Sequence, residues 1–371
     1  MEQNNFKIYF FILLAIVISV LLSVIINSSM TNSNMKVSSS MMMNMMGKSS
    51  FVDLPLKTAS NRIDKLSFVE KEGVKEFQLS ADPIRWEYAK DLSILAWGYN
   101  GQVPGPEIRV TEGDKVRIIF KNNLPKATTI HWHGIDVPNN QDGVPGVTQE
   151  PIKPGETFTY EFTAKPTGTR FYHTHGTSHS DEAQQLDMGL SGAFIIEPKV
   201  KEKYDKEYTL VLDEWEIMPD GTNAALISDK MGNMMAHSMN YNLFTINGKA
   251  FPYTVPLNVK QGDKVLIRLI NAGSSTTHPM HLHGQSFKIV AVDGNPVPKE
   301  AQLIRDTLPI SPGERYDIEI IANNPGEWVL HCHELHHADG GMITLFSYEG
   351  YSVKKEIPQN TKVGLGHGMH R

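Results

Sequence analysis

The chain has 371 residues, of which 40% are hydrophobic, 35 are basic and 41 are acidic, for a formal net charge of −6. This acidic balance, without a run of Lys and Arg, argues against nucleic acid as a partner. A single cysteine excludes an intrachain disulfide, while the length and apolar content suffice for two domains with separate cores.

The first predicted element is an apolar segment. Residues 8–26 are apolar except for two serines and a tyrosine, with Lys7 before them and no basic residue until Lys36. Such a run is long enough to span a bilayer. We therefore predict a signal anchor at residues 1–27, with a cleaved signal peptide as the alternative. The remaining chain is then extracytoplasmic, either at the cell surface or in the periplasm, or secreted after cleavage.

Methionines dominate the next segment. Residues 28–50 contain seven of them among Ser and Asn, a composition that cannot form a core. We predict that residues 28–70 are a flexible linker. Because thioethers also bind Cu(I), collection of copper is a second interpretation of this segment.

Short apolar, β-branched runs between Gly, Pro and Asn predict β-strands in the rest of the chain. Five such runs lie at 116–120, 158–162, 209–212, 265–270 and 316–321, and no long stretch keeps a helical period. Residues 110–116 match 259–265, and 151–156 match 309–314, which indicates two copies of one module. We expect an all-β chain with domains at 71–200 and 206–352 and a tail at 353–371.

Four clusters of histidine mark the two modules. They are His-Trp-His-Gly at 131–134, His-Thr-His-Gly at 173–176, His-Pro-Met-His-Leu-His-Gly at 278–284 and His-Cys-His-Glu-Leu-His-His at 331–337. Apart from His336, ten of the 15 histidines of the chain lie in these clusters. A lone histidine is usually a surface or core residue, but four spaced clusters that share one cysteine indicate a metal centre.

The fourth cluster contains most of a type 1 copper site. Such a site needs a thiolate, two imidazoles and a weak thioether in a trigonal arrangement. Cys332, His337 and Met342 supply three of these ligands. Because successive side chains of a strand face opposite sides, Cys332 faces away from His331 and His333.

The third cluster supplies the missing imidazole. His278 precedes His281 by three residues, so strand parity turns it to the opposite side from His281 and His283. With His278 in the type 1 site, eight clustered histidines remain. Eight imidazoles are the number that a trinuclear copper centre uses, two for a type 2 copper and six for a type 3 pair.

The four clusters, in this order over residues 75–350, resemble the motifs of the multicopper oxidase family in its two-domain, small laccase-like form. The resemblance implies two tandem cupredoxin-like Greek-key β-sandwiches and four coppers per functional unit. It implies that type 1 copper is bound by His278, Cys332, His337 and Met342. It further implies type 2 copper at His131 and His281, one type 3 copper at His133, His173 and His333, and the other at His175, His283 and His331.

The residues argue against two other classes of copper protein. In the repeat alignment Thr174 takes the place of Cys332, and a hydroxyl is a poor type 1 ligand. Two-domain nitrite reductases carry the blue cysteine in the first domain and lack a type 3 pair, so the pattern points away from them. A non-catalytic copper carrier leaves eight histidines unexplained.

The resemblance implies an oxidoreductase that couples four one-electron oxidations to the reduction of O2 to water. Phenols or aromatic amines are the expected laccase-like substrates. Cu(I) is the alternative, because four methionines at 231, 234, 235 and 239 surround His237, and the tail carries His367, Met369 and His370.

A carboxylate close to the trinuclear centre is expected to supply protons. Asp142 occupies the position of a functional acid in relatives. For a second acid, Asp339 and Glu334 are both candidates, because Ala338 stands where many relatives carry Glu.

The distribution of the clusters predicts an oligomer. Two clusters lie in each module, so the eight-histidine centre forms where a first module meets a second. Two-domain relatives close this interface between chains as a homotrimer, which we expect here, with closure inside one chain as the alternative.

Overall fold

The computed structural model describes residues 54, 56–58, 63–218, 221–226 and 240–351. The predicted signal segment, the Met-rich stretch, the methionines at 231–239 and the tail at 353–371 lie outside these residues. The C-terminal part of the stretch predicted as a flexible linker, 28–70, instead contains strand residues at Leu56–Thr58 and Phe68–Lys71, which pair with the first module. Within the described part of the chain, no helix is both long and apolar enough to cross a membrane.

The first module is a sandwich of two sheets. Its strands, β1 to β10, are Leu56–Thr58, Phe68–Lys71, Val74–Ala89, Leu92–Tyr99, Gly105–Thr111, Lys115–Asn122, Thr129–His133, Thr157–Thr163, Gly168–His175 and Ser191–Glu197. One sheet has the order β1-β3-β6-β8, with β2 and β4 also paired to β3, and the other has the order β5-β10-β9-β7.

The second module repeats this plan. Its strands, β11 to β22, are Lys206–Trp215, Leu243–Ile246, Leu257–Val259, Lys264–Asn271, His278–Leu282, Phe287–Val292, Asn295–Pro296, Ile304–Arg305, Thr307–Ile310, Arg315–Ile321, Glu327–Cys332 and Ile343–Tyr348. The two sheets have the orders β12-β11-β14-β20-β16-β17, with β18 on β16, and β13-β22-β21-β15-β19. The prediction of an all-β chain is confirmed, and the five predicted runs fall within β6, β8, β11, β14 and β20.

Alternation of apolar and polar side chains builds these sheets. In β6, every second residue from Val116 to Asn122 is buried, and the others are exposed or half-buried. Each module has its own core between its sheets, and a third buried cluster, which includes Trp86 of β3 and Trp215 of β11, joins the modules. Trp86 Nε1 also donates a hydrogen bond to the Gly248 carbonyl, at 2.7 Å.

Two helices differ from the strand-only expectation. Helix α1, His179–Asp187, follows β9, and helix α2, Leu335–Asp339, follows β21. The sequence of α1 contains just two apolar residues, Ala183 and Leu186, so it shows no helical period. Ser178 begins α1 as its N-cap, where its side chain accepts a hydrogen bond from the Asp181 amide.

Strand pairing brings equivalent pairs of histidine clusters together in the two modules. In the first module β7 pairs with β9, with His131 opposite His173. In the second, β15 pairs with β21, with His281 opposite His331. Each module therefore presents two neighbouring histidine strands at the same place in its sandwich, as expected for a repeated module.

Candidate copper centres

The predicted type 1 ligands come together in the core of the second module. Donor atoms of His278, Cys332 and His337 all lie within 4.8 Å of one another, and all three residues are buried. His337 Nδ1 is 3.5 Å from Cys332 Sγ and 3.2 Å from His278 Nδ1. Met342 is fully buried in the same core cluster as Cys332, and its carbonyl accepts a hydrogen bond from the Cys332 amide at 3.0 Å.

The electrostatic state of this cluster suits a soft metal ion. Burial raises the pKa of the Cys332 thiol to about 12. Burial and neighbouring His278 lower the pKa of His337 to about 4. The His337 imidazole therefore offers a lone pair at neutral pH, while the Cys332 thiolate needs a cation to offset its desolvation. One thiol, two imidazoles and a thioether are the donor set of a blue copper site, so the residues fit copper.

A buried carboxylate that the sequence did not reveal holds one of the type 1 ligands. Glu214, at the end of β11, is fully buried, and its Oε2 lies 3.0 Å from His278 Nε2. The Ser275 and Thr276 amides donate to Glu214 Oε1 at 2.8 and 2.9 Å. Because Nε2–H of His278 donates to Glu214, its Nδ1 is left free towards Cys332 and His337.

The four histidines of β7 and β9 form one quartet. His131 Nδ1 donates to the Asp142 carbonyl at 2.9 Å, His173 Nδ1 to the Thr174 carbonyl at 2.7 Å, and His175 Nδ1 to the Gly176 carbonyl at 3.2 Å. These bonds leave the Nε2 atoms as metal-binding atoms. His133 differs, because its Nδ1 lies 3.3 Å from His173 Nε2.

The second quartet consists of His281, His283, His331 and His333, at the ends of β15 and β21. His281 Nδ1 donates to the Asp306 carbonyl at 2.9 Å, and His331 Nδ1 donates to the Cys332 carbonyl at 2.8 Å. His283 Nε2 and His331 Nε2 are 3.0 Å apart. The ring of His333 stacks on that of His331, with centroids 5.6 Å apart.

The separations between these nitrogen atoms suit shared metal ions. Nitrogen and oxygen ligands lie about 2.0–2.2 Å from an ion such as zinc, so two donors placed about 90–110° apart on one ion are about 2.8–3.6 Å from each other. The pairs His133–His173, at 3.3 Å, and His283–His331, at 3.0 Å, fall in this range. Each pair is one that the family resemblance assigns to a single type 3 copper.

Burial also separates the two kinds of site as strand parity predicts. Cys332 and His278 are fully buried, whereas His331 is half-buried and His333 and His283 are exposed. The thiol and the two imidazoles on either side of it therefore belong to different faces of one strand end.

The first module fills the position of the type 1 site with hydroxyl and amide groups. Thr174, which takes the place of Cys332 in the repeat, is fully buried. Its Oγ1 donates to Gln185 Oε1 at 2.5 Å and lies 2.7 Å from Thr128 Oγ1. These hard, neutral groups do not provide the soft donors of a blue copper site.

The three predicted acids lie in different places. Asp142 is beside the first quartet, with its Oδ1 at 3.3 Å from His131 Nδ1. Glu334 is on the type 1 side, where its Oε2 accepts from the His337 amide at 3.0 Å and lies 3.3 Å from His337 Nε2. Asp339 is exposed at the end of α2. Asp306 holds His281 much as Asp142 holds His131, but no spacing in the sequence distinguished it.

Comparison with known proteins identifies the family. Two multicopper oxidase family models match residues 83–201 and 224–350. The crystal structure of the blue copper oxidase from Nitrosomonas europaea is 35% identical in sequence, with a TM-score of 0.66 over 78% of this chain and 93% of that one. The chain belongs to the multicopper oxidase family. It is therefore a copper-dependent oxidoreductase that uses O2.

Two curated relatives add context. The multicopper oxidase mco of Staphylococcus haemolyticus is 24% identical over 401 residues, which cover 74% of this chain and 88% of that protein. Copper resistance protein A of Escherichia coli is 29% identical over 300 residues, which cover 68% of this chain and 47% of that protein.

Metal binding at the type 1 site should release one proton from Cys332. Because burial raises the pKa of the thiol to about 12, the metal-free protein carries it protonated at pH 7, and the bound metal displaces that proton. His337, with its pKa lowered to about 4, is already neutral and releases none. Calorimetric titration of the apoprotein with Co(II), in buffers of different protonation enthalpy, measures the number of protons released.

The matched control is Cys332→Ser, which keeps both imidazoles. We expect wild type to release one more proton per chain than this variant. Equal proton release by the two proteins would contradict the assignment of Cys332 as a buried thiol that becomes a metal ligand.

Proposed function

We propose that this multicopper oxidase is laccase-like and takes single electrons from phenols or aromatic amines at the type 1 site. The observation that supports this most is the position of Cys332 between His331 and His333 at the end of β21. The thiol faces the type 1 cluster, and its two neighbours belong to the second quartet. A covalent path of a few bonds thus connects the site where electrons enter to the site where O2 is reduced.

The bound coppers supply the one-electron storage with which O2 is reduced to two waters without release of peroxide. The side chains of the protein orient the metal ligands and supply protons. Glu214 orients His278, and the carbonyl groups of Asp142 and Asp306 orient His131 and His281. Each ligand is thereby held in one tautomer before the metal arrives.

Electron entry is proposed at His337. The side chain of this buried residue is 10% exposed, and its ring stacks on Phe244 at a centroid distance of 4.1 Å. Beside its Nε2 lies the carboxylate of Glu334, whose side chain is 47% exposed. An exposed carboxylate next to an electron acceptor can accept the hydroxyl or amino proton of a phenol or aromatic amine as it is oxidised.

Cu(I) is the second candidate substrate. The similarity to copper resistance protein A of Escherichia coli favours it, together with the methionines at 231, 234, 235 and 239, which lie outside the described residues. Thioethers bind Cu(I) well, and Glu334 would then attract a cation. The two candidates make different predictions for the same variants.

We further propose that a homotrimer completes the trinuclear centre. Among the described residues, the imidazole ring contacts of each quartet stay within that quartet, from His131 to His175 in one and from His281 to His333 in the other. Four imidazoles cannot satisfy three coppers that use eight, so the two halves must meet. A first module on one chain and a second module on the next can do this.

The proposed location is outside the cytoplasm, at the membrane through residues 1–27 or secreted after their cleavage. The apolar run at 8–26 supports this proposal. An unpaired cysteine is a liability in an oxidising compartment, and burial of Cys332 as a metal ligand removes that liability.

Asp142 is expected to supply protons at the trinuclear centre. Asp142→Asn keeps the side-chain shape and the carbonyl contact to His131 but removes the acid. We predict that the variant retains its blue absorption and is reoxidised by O2 about 10²–10⁴-fold more slowly. Stopped-flow reoxidation of the fully reduced protein measures this rate. Unchanged reoxidation would remove the role assigned to Asp142.

Oxygen uptake distinguishes the two substrate classes. The copper-loaded protein is assayed with a phenol, with Cu(I) and with Fe(II), in wild type and in a variant with Leu at positions 231, 234, 235 and 239. Leu keeps the volume of Met and removes the sulfur, so the laccase-like proposal predicts equal rates for the two proteins on the phenol and on Cu(I). Selective loss of Cu(I) turnover would instead identify Cu(I) as the substrate.

The homotrimer proposal predicts that copper binding depends on assembly of the chains. Light scattering of the copper-loaded protein should give three times the mass of one chain. His133→Ala and His283→Ala, one in each quartet, should each lower the copper content of the assembly and complement each other when the two variants are mixed and reassembled. A monomer with full copper content would show that the centre closes within one chain.

A further inference from the structure

We propose that Glu182 of helix α1 is an additional, carboxylate ligand of the trinuclear centre, on the copper held by His175. This inference rests on the assignment of His175 to that centre, which the family resemblance supplied. It adds an oxygen donor to a set in which the sequence predicted imidazoles alone.

The geometry of the contact carries the proposal. Glu182 Oε2 lies 3.4 Å from His175 Nε2. Nδ1 of His175 is engaged by the Gly176 carbonyl at 3.2 Å, so Nε2 is the atom available to a metal ion. The separation of 3.4 Å also falls within the distance expected between two donors that share one ion, about 2.8–3.6 Å. The carboxylate therefore stands beside the position that a metal on His175 occupies.

The local fold holds Glu182 at this position. Strand β9 ends at His175, and the chain turns into α1 over three residues. A Cβ on Gly176 would lie 2.3 Å from the Glu182 amide nitrogen, so glycine lets the first turn of the helix pack directly on the end of the strand. The Glu182 amide donates to the Ser178 carbonyl at 2.8 Å, which closes that first turn.

A second set of bonds fixes the turn that precedes the helix. Asp181 Oδ2 accepts from the Thr177 amide at 2.8 Å, and Asp181 Oδ1 lies 3.2 Å from Lys126 Nζ. Gln185, one turn further along α1, is tied to Thr174 by a 2.5 Å hydrogen bond. The backbone of Glu182 is thus fixed on both sides, and its side chain is aimed at His175 rather than at solvent.

The surroundings favour a cation beside this carboxylate. The Glu182 side chain is 18% exposed, and that of His175 is 21% exposed, so little water solvates either group. A carboxylate that little water solvates is stabilised by a neighbouring positive charge, which a copper ion on His175 would provide. An oxygen ligand also favours Cu(II) over Cu(I), because carboxylate is a harder donor than imidazole.

The experiment compares Glu182→Gln with Glu150→Gln. The first substitution keeps the side-chain shape and removes the charge beside His175. The second makes the same change at an exposed carboxylate of the same module. Copper is removed from each protein and returned in competition with a chelator of known affinity, and the copper content and thermal midpoint are measured in parallel.

We expect Glu182→Gln to bind one copper about 10–100-fold more weakly than wild type, with the type 1 blue absorption and the apoprotein thermal midpoint unchanged. Glu150→Gln should bind copper as wild type does. Glu182→Asp, which retains the charge on a side chain shorter by one methylene, should recover part of the lost affinity.

Two results would overturn the proposal. One is a Glu182→Gln variant whose copper affinities all equal those of Glu150→Gln. The other is a loss of affinity that accompanies a lower apoprotein midpoint and is not recovered by Glu182→Asp, which would show that Glu182 acts by stabilising the fold. Failure of the proposed oxidase function would be visible separately, as absent blue absorption or absent oxygen uptake in wild type and Glu150→Gln.

Discussion

The alternation of side chains at the end of strand β21 is the constraint on which both copper centres depend. A strand sends successive residues to opposite faces, so a buried Cys332 forces His331 and His333 outward. The thiol reaches the core of the second sandwich, where His278, His337 and Met342 are also buried. The flanking imidazoles contact those of His281 and His283. Three consecutive residues, 331–333, connect the two centres, so no other segment of the chain is needed between them.

The two modules share one arrangement of paired histidine strands but bury different residues behind it. In both, a pair of neighbouring strands carries a quartet of histidines, at His131 opposite His173 and at His281 opposite His331. Behind the quartet the second module buries Cys332, and the first buries Thr174 in a hydrogen-bonded network with Gln185 and Thr128. Thr174 in place of Cys332 is thus one difference that leaves the first module without the thiolate of a soft-donor site. Each module carries four of the eight other predicted ligands, so the proposed centre requires a first module to meet a second.

Much of this arrangement was predictable from the sequence, because strand parity and ligand chemistry are local rules. The strands near residues 116, 158, 209, 265 and 316, the position of His278 and the opposed faces of Cys332 and its neighbours all followed from them. The residues that hydrogen-bond the predicted ligands did not, because their positions depend on tertiary contacts between distant segments. Glu214 reaches His278 across 64 positions of sequence, and Asp306 reaches His281 across 25. Helix α1 was missed because its polar sequence has no apolar period, and Glu182 was missed with it. The predictions that fall on residues 1–53 and 352–371 lie outside the described structure.

The most direct test of the central claim is the copper content of the purified, copper-loaded protein, measured together with its visible absorption in wild type and in Cys332→Ser. If one strand end serves both a type 1 site and a trinuclear centre, wild type contains four coppers per chain and is intensely blue. The Cys332→Ser variant then loses the colour and one copper and keeps the other three, since its imidazoles on the opposite face are intact. A colourless wild-type protein, or one with a single copper per chain, would contradict this account.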